Sequence, residues 1–428
     1  MSLCLIFSAK AAGAQETQQT SPHTAASFWQ AAGGIVVTNW IPWAYNWYVQ
    51  KWPWANVGVE TWGHNLRQGF TWDNDSFFDN QLLHPYHGTM YHHSARAAGY
   101  GFWSSFPFVA AGSATWELFG ENIQASFNDL INTTVGGMAL GEVTYRLSAL
   151  LRSGRGGGRP GLGRQLGAFV ASPLAGTHAL FDGAPDDVQP RLSSARAPAR
   201  FAAGSHAGRG FVEMDMQYGS PFSSDFARPY DAFDFRLRLS PGSGAIIQQV
   251  GISGLLARRG LSQSRYGQLL FGVFQHYDYH QVPGINTSGS SVSAALLYQH
   301  TLNQRHRVSL GAHAEGLLLG SISSDQGYYW RRDYDLGPGA GARLTAAFSR
   351  DGRDCLQLEG RLLWLHSVHG SDANHLMSFI RAGAALPIVG TLGVGGEVTI
   401  TNRHSRYRDF PAVSKRVPEV RAFVSWLP

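Results

Sequence analysis

The 428-residue chain is 44% hydrophobic but only 15% charged, with 51 glycines, 13 tryptophans and a net charge of +5, where a soluble domain carries about a quarter charged residues. Few charges with abundant Gly and aromatics, at a mean hydropathy of −0.16, match the average of a membrane β-barrel better than a soluble core or a set of helical spans. The positive charge is spread too thinly to point to nucleic acid.

Residues 1–14 read as the remnant of a signal peptide, an apolar run from Leu3 to Phe7 followed by the small-residue cleavage motif Ala12-Gly13-Ala14. Cys4 lies inside it, so Cys355 is left alone and no intramolecular disulfide is expected. Residues 15–54 read as a polar lead-in and an interfacial helix. Phe28 to Gln50 is apolar and aromatic but interrupted by Gly33, Gly34 and Pro42, and Trp40, Trp43, Trp47, Trp52 and Trp54 suit a membrane–water interface.

Residues 55–183 form one region. Val57, Val59 and Thr61 alternate as a first strand, and TWDNDSFFDNQ follows as a polar turn. Helices come next. Arg96 and Glu117 bracket an uncharged stretch, Ala97 to Trp116, long enough for a membrane helix but diluted by Gly99, Gly101, Pro107 and Gly112. Ser126 with Asp129 resembles a capping box, and Glu142 with Arg146 makes an i, i+4 ion pair. The segment SGRGGGRP at 153–160 is a linker, Gly163 to Phe181 is again helical, and 184–208 is a loop.

From residue 209 to 428 the period is two. Val212, Met214 and Met216 oppose Glu213 and Asp215. Leu310, Ala312 and Ala314 oppose Ser309, His313 and Glu315, and Leu356, Leu358 and Leu362 oppose Gln357, Glu359 and Arg361. Eleven such segments, with the one near Val57, give about twelve strands, an even number of the kind that closes a barrel. The fold expected is a membrane all-β protein with a helical insert: a roughly 12-stranded antiparallel outer-membrane β-barrel. About eight strands pack shut, so twelve leave a lumen, and the helices are expected in it or across it. There their acids would meet Arg236, Arg343 and Arg361.

The run WGHNLRQGFTWDNDSFFDNQLLHPYHGTMYHHSARAAGYGFWSSF, followed by GSATWELFGE, SFNDLINTTVGG and GEVTYRLS, resembles the DUF3943 family of bacterial envelope proteins over roughly Trp62 to Gly183. The resemblance implies an envelope location and brings no activity with it.

Candidate site residues follow from side-chain chemistry. His84, His87, His92 and His93 include H-x-x-H spacing, but Pro85 points to a turn and no Cys accompanies them, so no metal or cofactor is expected. Glu117 and Glu121, one helical turn apart, are weak candidates for acid/base catalysis together with Asp129. Anchoring of a plug to barrel arginines is the preferred use for them. His84, His87, Tyr91, Arg96, Trp116, Asn128, Glu142 and Arg146 complete the binding or plug-anchoring set. The partners expected are outer-membrane lipid and a small solute or lipid ligand. The function expected is a plugged barrel in the outer membrane of a Gram-negative bacterium that binds or passes such a ligand. A barrel enzyme acting on envelope lipid or glycan, or a structural or assembly protein, is the alternative.

Overall fold

The computed structural model describes residues 25–152, 161–174, 199–206, 209–240, 246–282, 284–326 and 333–426. The leader at 1–14, the linker at 153–160 and most of the loop at 184–208 lie outside the described residues. Among the described residues seven α-helices come first: α1 (Ala25–Ala44), α2 (Val59–Gln68), α3 (His84–Ala97), α4 (Phe102–Phe119), α5 (Phe127–Ile131), α6 (Gly137–Arg152) and α7 (Leu162–Ala171). Twelve strands follow: β1 (Ala199–His206), β2 (Arg209–Tyr218), β3 (Phe233–Leu239), β4 (Ile247–Gln263), β5 (Gly267–Val282), β6 (Ile285–Thr301), β7 (His306–Ser323), β8 (Tyr334–Arg350), β9 (Arg353–His366), β10 (Ala373–Val389), β11 (Leu392–Tyr407) and β12 (Val413–Trp426). They pair in sequence order, antiparallel, and β12 closes on β1.

All eleven alternating segments are strands, and the count of twelve holds with a different first member. Val59 to Gln68 is helical, started by Gly58 and Thr61 exchanging hydrogen bonds. The missing strand is β1, inside the stretch read as a loop. No helix among the described residues is long and apolar enough to cross a membrane.

Directly paired residues point to the same face of a sheet, so register carries the in/out assignment around the ring. One row runs Leu310, Ala346, Leu358, Ala382, Val398, Val420. Its large members are exposed, Leu358 by 53% and Val420 by 66%, which is the apolar belt that faces lipid. On the opposite parity the charges face the lumen, and they pair with one another. Arg238 of β3 reaches Glu397 of β11 at 2.9 Å, Arg343 of β8 reaches Asp278 of β5 at 3.0 Å, and Arg361 of β9 reaches Glu315 at 2.7 Å and Asp278 at 2.8 Å. Several of these bonds join strands that are not neighbours, so the side chains bridge the lumen.

The helices are not in that lumen. A second row runs Met216, Phe235, Ile252, Tyr277, Ser290, Leu319 across β2 to β7, and Ser290 shares its face with the lipid-facing Leu296 and Tyr298. Met216, Phe235, Ile252, Tyr277 and Leu319 are nevertheless buried, in one apolar cluster with Tyr91, Phe102, Met138 and Val143 of the helices. The helical domain therefore packs on the outer wall. The expectation of lumenal helices assumed that barrel arginines needed acids from the helices, whereas lumenal Glu and Asp already neutralise them. At the end of the barrel where the helices sit, the uncovered strands change from Leu and Val to the outward-facing His404, Arg406, Ser414 and Arg416. The domain thus flanks the wall beyond the apolar belt. It covers Ser288, Ser290 and Ser321, outward residues that are at most 6% exposed and would be poor partners for lipid.

Candidate functional site

Two π-helical turns, Asp79–Leu83 and Asn132–Gly136, shape the helical domain, and such turns recur at functional sites. The first leads into α3 and the second into α6. These helices meet backbone to backbone: a Cβ on Gly88 would lie 1.8 Å from the Thr133 carbonyl oxygen, so only glycine permits the approach.

The turn TWDNDSFFDNQ is brought to α5 by a parallel bridge, with Thr71 N–H donating to Ala125 O at 2.8 Å and Phe127 N–H to Thr71 O at 2.7 Å. That bridge sets Asp73 beside Asn128 and Asp129. Asn128 Nδ2 donates to Asp73 Oδ1 at 2.7 Å and to Asp129 Oδ1 at 3.0 Å, and Asn80 Nδ2 donates to Asp73 Oδ1 at 2.7 Å. Ser126 caps α5 as its spacing predicted, accepting from Asp129 N–H at 3.2 Å. Its own N–H donates to Glu117 Oε2 at 2.8 Å, which fastens the end of α4 to the same place. His84 Nε2 lies 3.6 Å from Asp129 Oδ1, and its Nδ1 lies 3.3 Å from Thr133 Oγ1.

Around this centre Trp116 Nε1 donates to Glu121 Oε1 at 2.8 Å, and the His87 ring sits edge-on to Trp116 at 4.8 Å. His87 Nε2 also meets Thr38 O and Tyr91 Oη, and Tyr91 donates to Asn39. Eight predicted residues thus gather in one place: His84, His87, Tyr91, Trp116, Glu117, Glu121, Asn128 and Asp129. Asp73 and Asn80 belong with them and were missed. Their signal was the Asp/Asn-rich turn itself.

Electrostatics sets these carboxyls apart. Burial and then the charge of Glu121 raise Glu117 well above the usual range, and burial with Asp75 and Asp73 raises Glu121 to about 8. Asp129 is raised by burial and by Asp73. Burial pushes Asp73 up too, but hydrogen bonds from Asp129, Asn128 and Asn80 outweigh it and leave Asp73 below its ordinary value. The two carboxyls are thus pushed in opposite directions, Asp129 up and Asp73 down. Burial holds His84 below its usual value and takes His87 down to about 4.

His92, Arg96, Glu142 and Arg146 form a separate group. The buried Glu142 accepts from Arg146 Nε at 2.8 Å and Arg96 Nη2 at 3.4 Å, and His92 Nε2 lies 2.9 Å from its Oε2. Arg146 then reaches Asp231 Oδ1 at 2.9 Å and Pro229 O at 2.7 Å, in the loop between β2 and β3. The anchoring expected of Arg146 and Glu142 exists, but it holds the helices to a connecting loop and not to lumenal arginines. His93 donates to Gly141 O at 3.1 Å and is also structural.

Residues 69–174 match the model of a family described as a domain of unknown function, DUF3943. The chain carries a DUF3943 domain. It spans the segment from the end of α2 to just past α7 and holds Asp73, Asn80, His84, Glu117 and Asp129, while Thr38 and Asn39 reach the site from α1 outside it. No curated protein matches the chain. Among solved structures the chain is similar to the NanC porin (7% identity, TM-score 0.28, covering 54% of this chain and 100% of that one). It is likewise similar to the KdgM porin (7%, 0.24, 54% and 98%) and to OmpT, an outer membrane protein of Vibrio cholerae (5%, 0.19, 54% and 96%). The barrel assignment rests on the closed strand order of the chain itself.

Proposed function

We propose that this chain is an outer-membrane protein of the Gram-negative envelope whose barrel, plugged by its own lumenal charges, carries a DUF3943 domain that binds a small solute or lipid headgroup. The division of charge carries this reading. Lumenal Arg238, Arg343 and Arg361 each meet a carboxylate, whereas no Lys or Arg among the described residues pairs with Glu117, Glu121 or Asp129. A barrel enzyme acting on envelope lipid or glycan is the second reading, favoured by the buried Asp73 and Asp129 carboxyls that Asn128 holds together beside His84.

Planar-bilayer conductance tests the first reading. Wild type is expected to stay silent, and Arg238→Ala combined with Arg343→Ala is expected to open a conducting path. Glu117→Ala with Glu121→Ala should leave the bilayer silent, because those acids lie outside the lumen. Steady conductance by wild type at low voltage overturns the plugged barrel in favour of a pore, and opening by the Glu117/Glu121 pair alone returns the gate to the helices. Recovery of the protein with inner-membrane fractions would defeat the location.

A further inference from the structure

We infer that His84, Glu117 and Asp129 hold a divalent first-row transition ion, with Asp73 and Asn80 as supporting oxygen donors. The inference rests on the reading that the DUF3943 domain binds a ligand, and it names the ligand's inorganic core. One ligand atom from each of His84, Glu117 and Asp129 lies within 4.8 Å of the other two. Opposed ligands around an ion with bonds of about 2.1 Å stand roughly 4.2 Å apart, so small rotations of the side chains close the shell.

The three residues come from α3, α4 and α5, and each is already aimed. His84 directs Nδ1 at the Thr133 hydroxyl at 3.3 Å. Donation from Nδ1 leaves the Nε2 lone pair facing Asp129, which is how a metal-bound imidazole is oriented by its outer partner. Glu117 has one oxygen engaged by Ser126 N–H, and Asp129 is steadied by Asn128 and by its capping bond to Ser126.

A second observation is independent of the acids. Asn80 is fully buried, and its Oδ1 has no hydrogen-bond partner. Its Nδ2 is held on Asp73 Oδ1 at 2.7 Å, so the unsatisfied carbonyl lies one amide's width from the same carboxylate. A buried acceptor left unmade costs about 1–3 kcal/mol, and an ion or its bound water satisfies it. One imidazole with carboxylates suits Mn²⁺, Fe²⁺ or Zn²⁺ better than Ca²⁺, whose shell is all oxygen.

The test uses the full chain in detergent micelles, stripped with a chelator and titrated with Zn²⁺ by calorimetry and with Mn²⁺ by electron paramagnetic resonance. One ion per chain is expected. His84→Ala and Asp129→Asn should each weaken binding at least tenfold, and Thr133→Val should weaken it by a smaller factor. Glu117→Gln keeps the shape of the side chain, so it serves as the variant least able to unfold the domain, with circular dichroism reporting its helices. No stoichiometric ion in wild type, or unchanged affinity in a folded Glu117→Gln, overturns the site. Conductance separates the two readings: a conducting wild type defeats the plugged barrel, while a silent barrel that takes up no ion defeats only this inference.

Discussion

Arginine at Leu310, Leu344 or Leu358 is expected to destabilise the folded barrel by about 2–4 kcal/mol near the bilayer mid-plane, and the same change at Ser309 or Thr345 by clearly less. The asymmetry follows from register. Leu310 pairs with Ala346 and Ala346 with Leu358 on the lipid face, whereas Ser309 and Thr345 sit on the lumenal parity, where a cation finds Glu315, Glu359 and water. Leu319→Arg provides the internal control: it lies on the outer wall but under the helices. There the charge should release the helical domain while the apolar belt stays intact. Urea unfolding in lipid bilayers reads all three classes, and equal penalties on the two parities would mean that the strands are not embedded in lipid.

The strands were legible because a two-residue period is fixed by the pleat and needs no knowledge of partners. β1 escaped because Ala199 to His206 reads ARFAAGSH, in which small residues blur the alternation. The position of the helices was not legible for a different reason. Parity separates two faces but does not say what covers the outer one, and an apolar residue serves equally under lipid or under a helix. The clue lay in Ser288, Ser290 and Ser321, polar residues on the apolar parity. For the site, Glu117 and Asp129 stood out as charges on otherwise neutral helices. Asp73 did not, because its meeting with Asn128 across a separation of 55 residues depends on the Thr71–Ser126 bridge, which no local pattern encodes.

Glu142→Ala is expected to have the other large effect, about 3–5 kcal/mol on the helical domain, since removing one member of a buried ion-pair group strands the rest. Glu142 is fully buried between His92, Arg96 and Arg146. Burial alone would raise its carboxyl, but Arg96 and Arg146 outweigh burial and hold it far below the usual range. The sign for pH follows from linkage. A carboxylate with a depressed folded pKa stabilises above its unfolded value, near 4.5, and that stability is lost as pH falls toward the folded one. His93 acts earlier: burial, with His92 nearby, lowers it to about 3 from 6.5, so below pH 6.5 the unfolded chain takes up a proton that the folded one refuses. Between pH 7 and 4 His93 alone should therefore cost the domain on the order of 1–3 kcal/mol before Glu142 titrates, read as the difference between wild type and His93→Gln, because the raised Glu117, Glu121 and Asp129 carboxyls shift stability the other way over the same range. Helical circular dichroism during denaturation follows the domain, and the barrel's heat-modifiable migration on gels follows the strands. The strands should survive, because their hydrogen-bonded ring closes without the helices. A Glu142→Ala protein with wild-type helical stability at pH 7 would show that Asp231 alone neutralises Arg146, and that the helices are held to the wall by apolar contact.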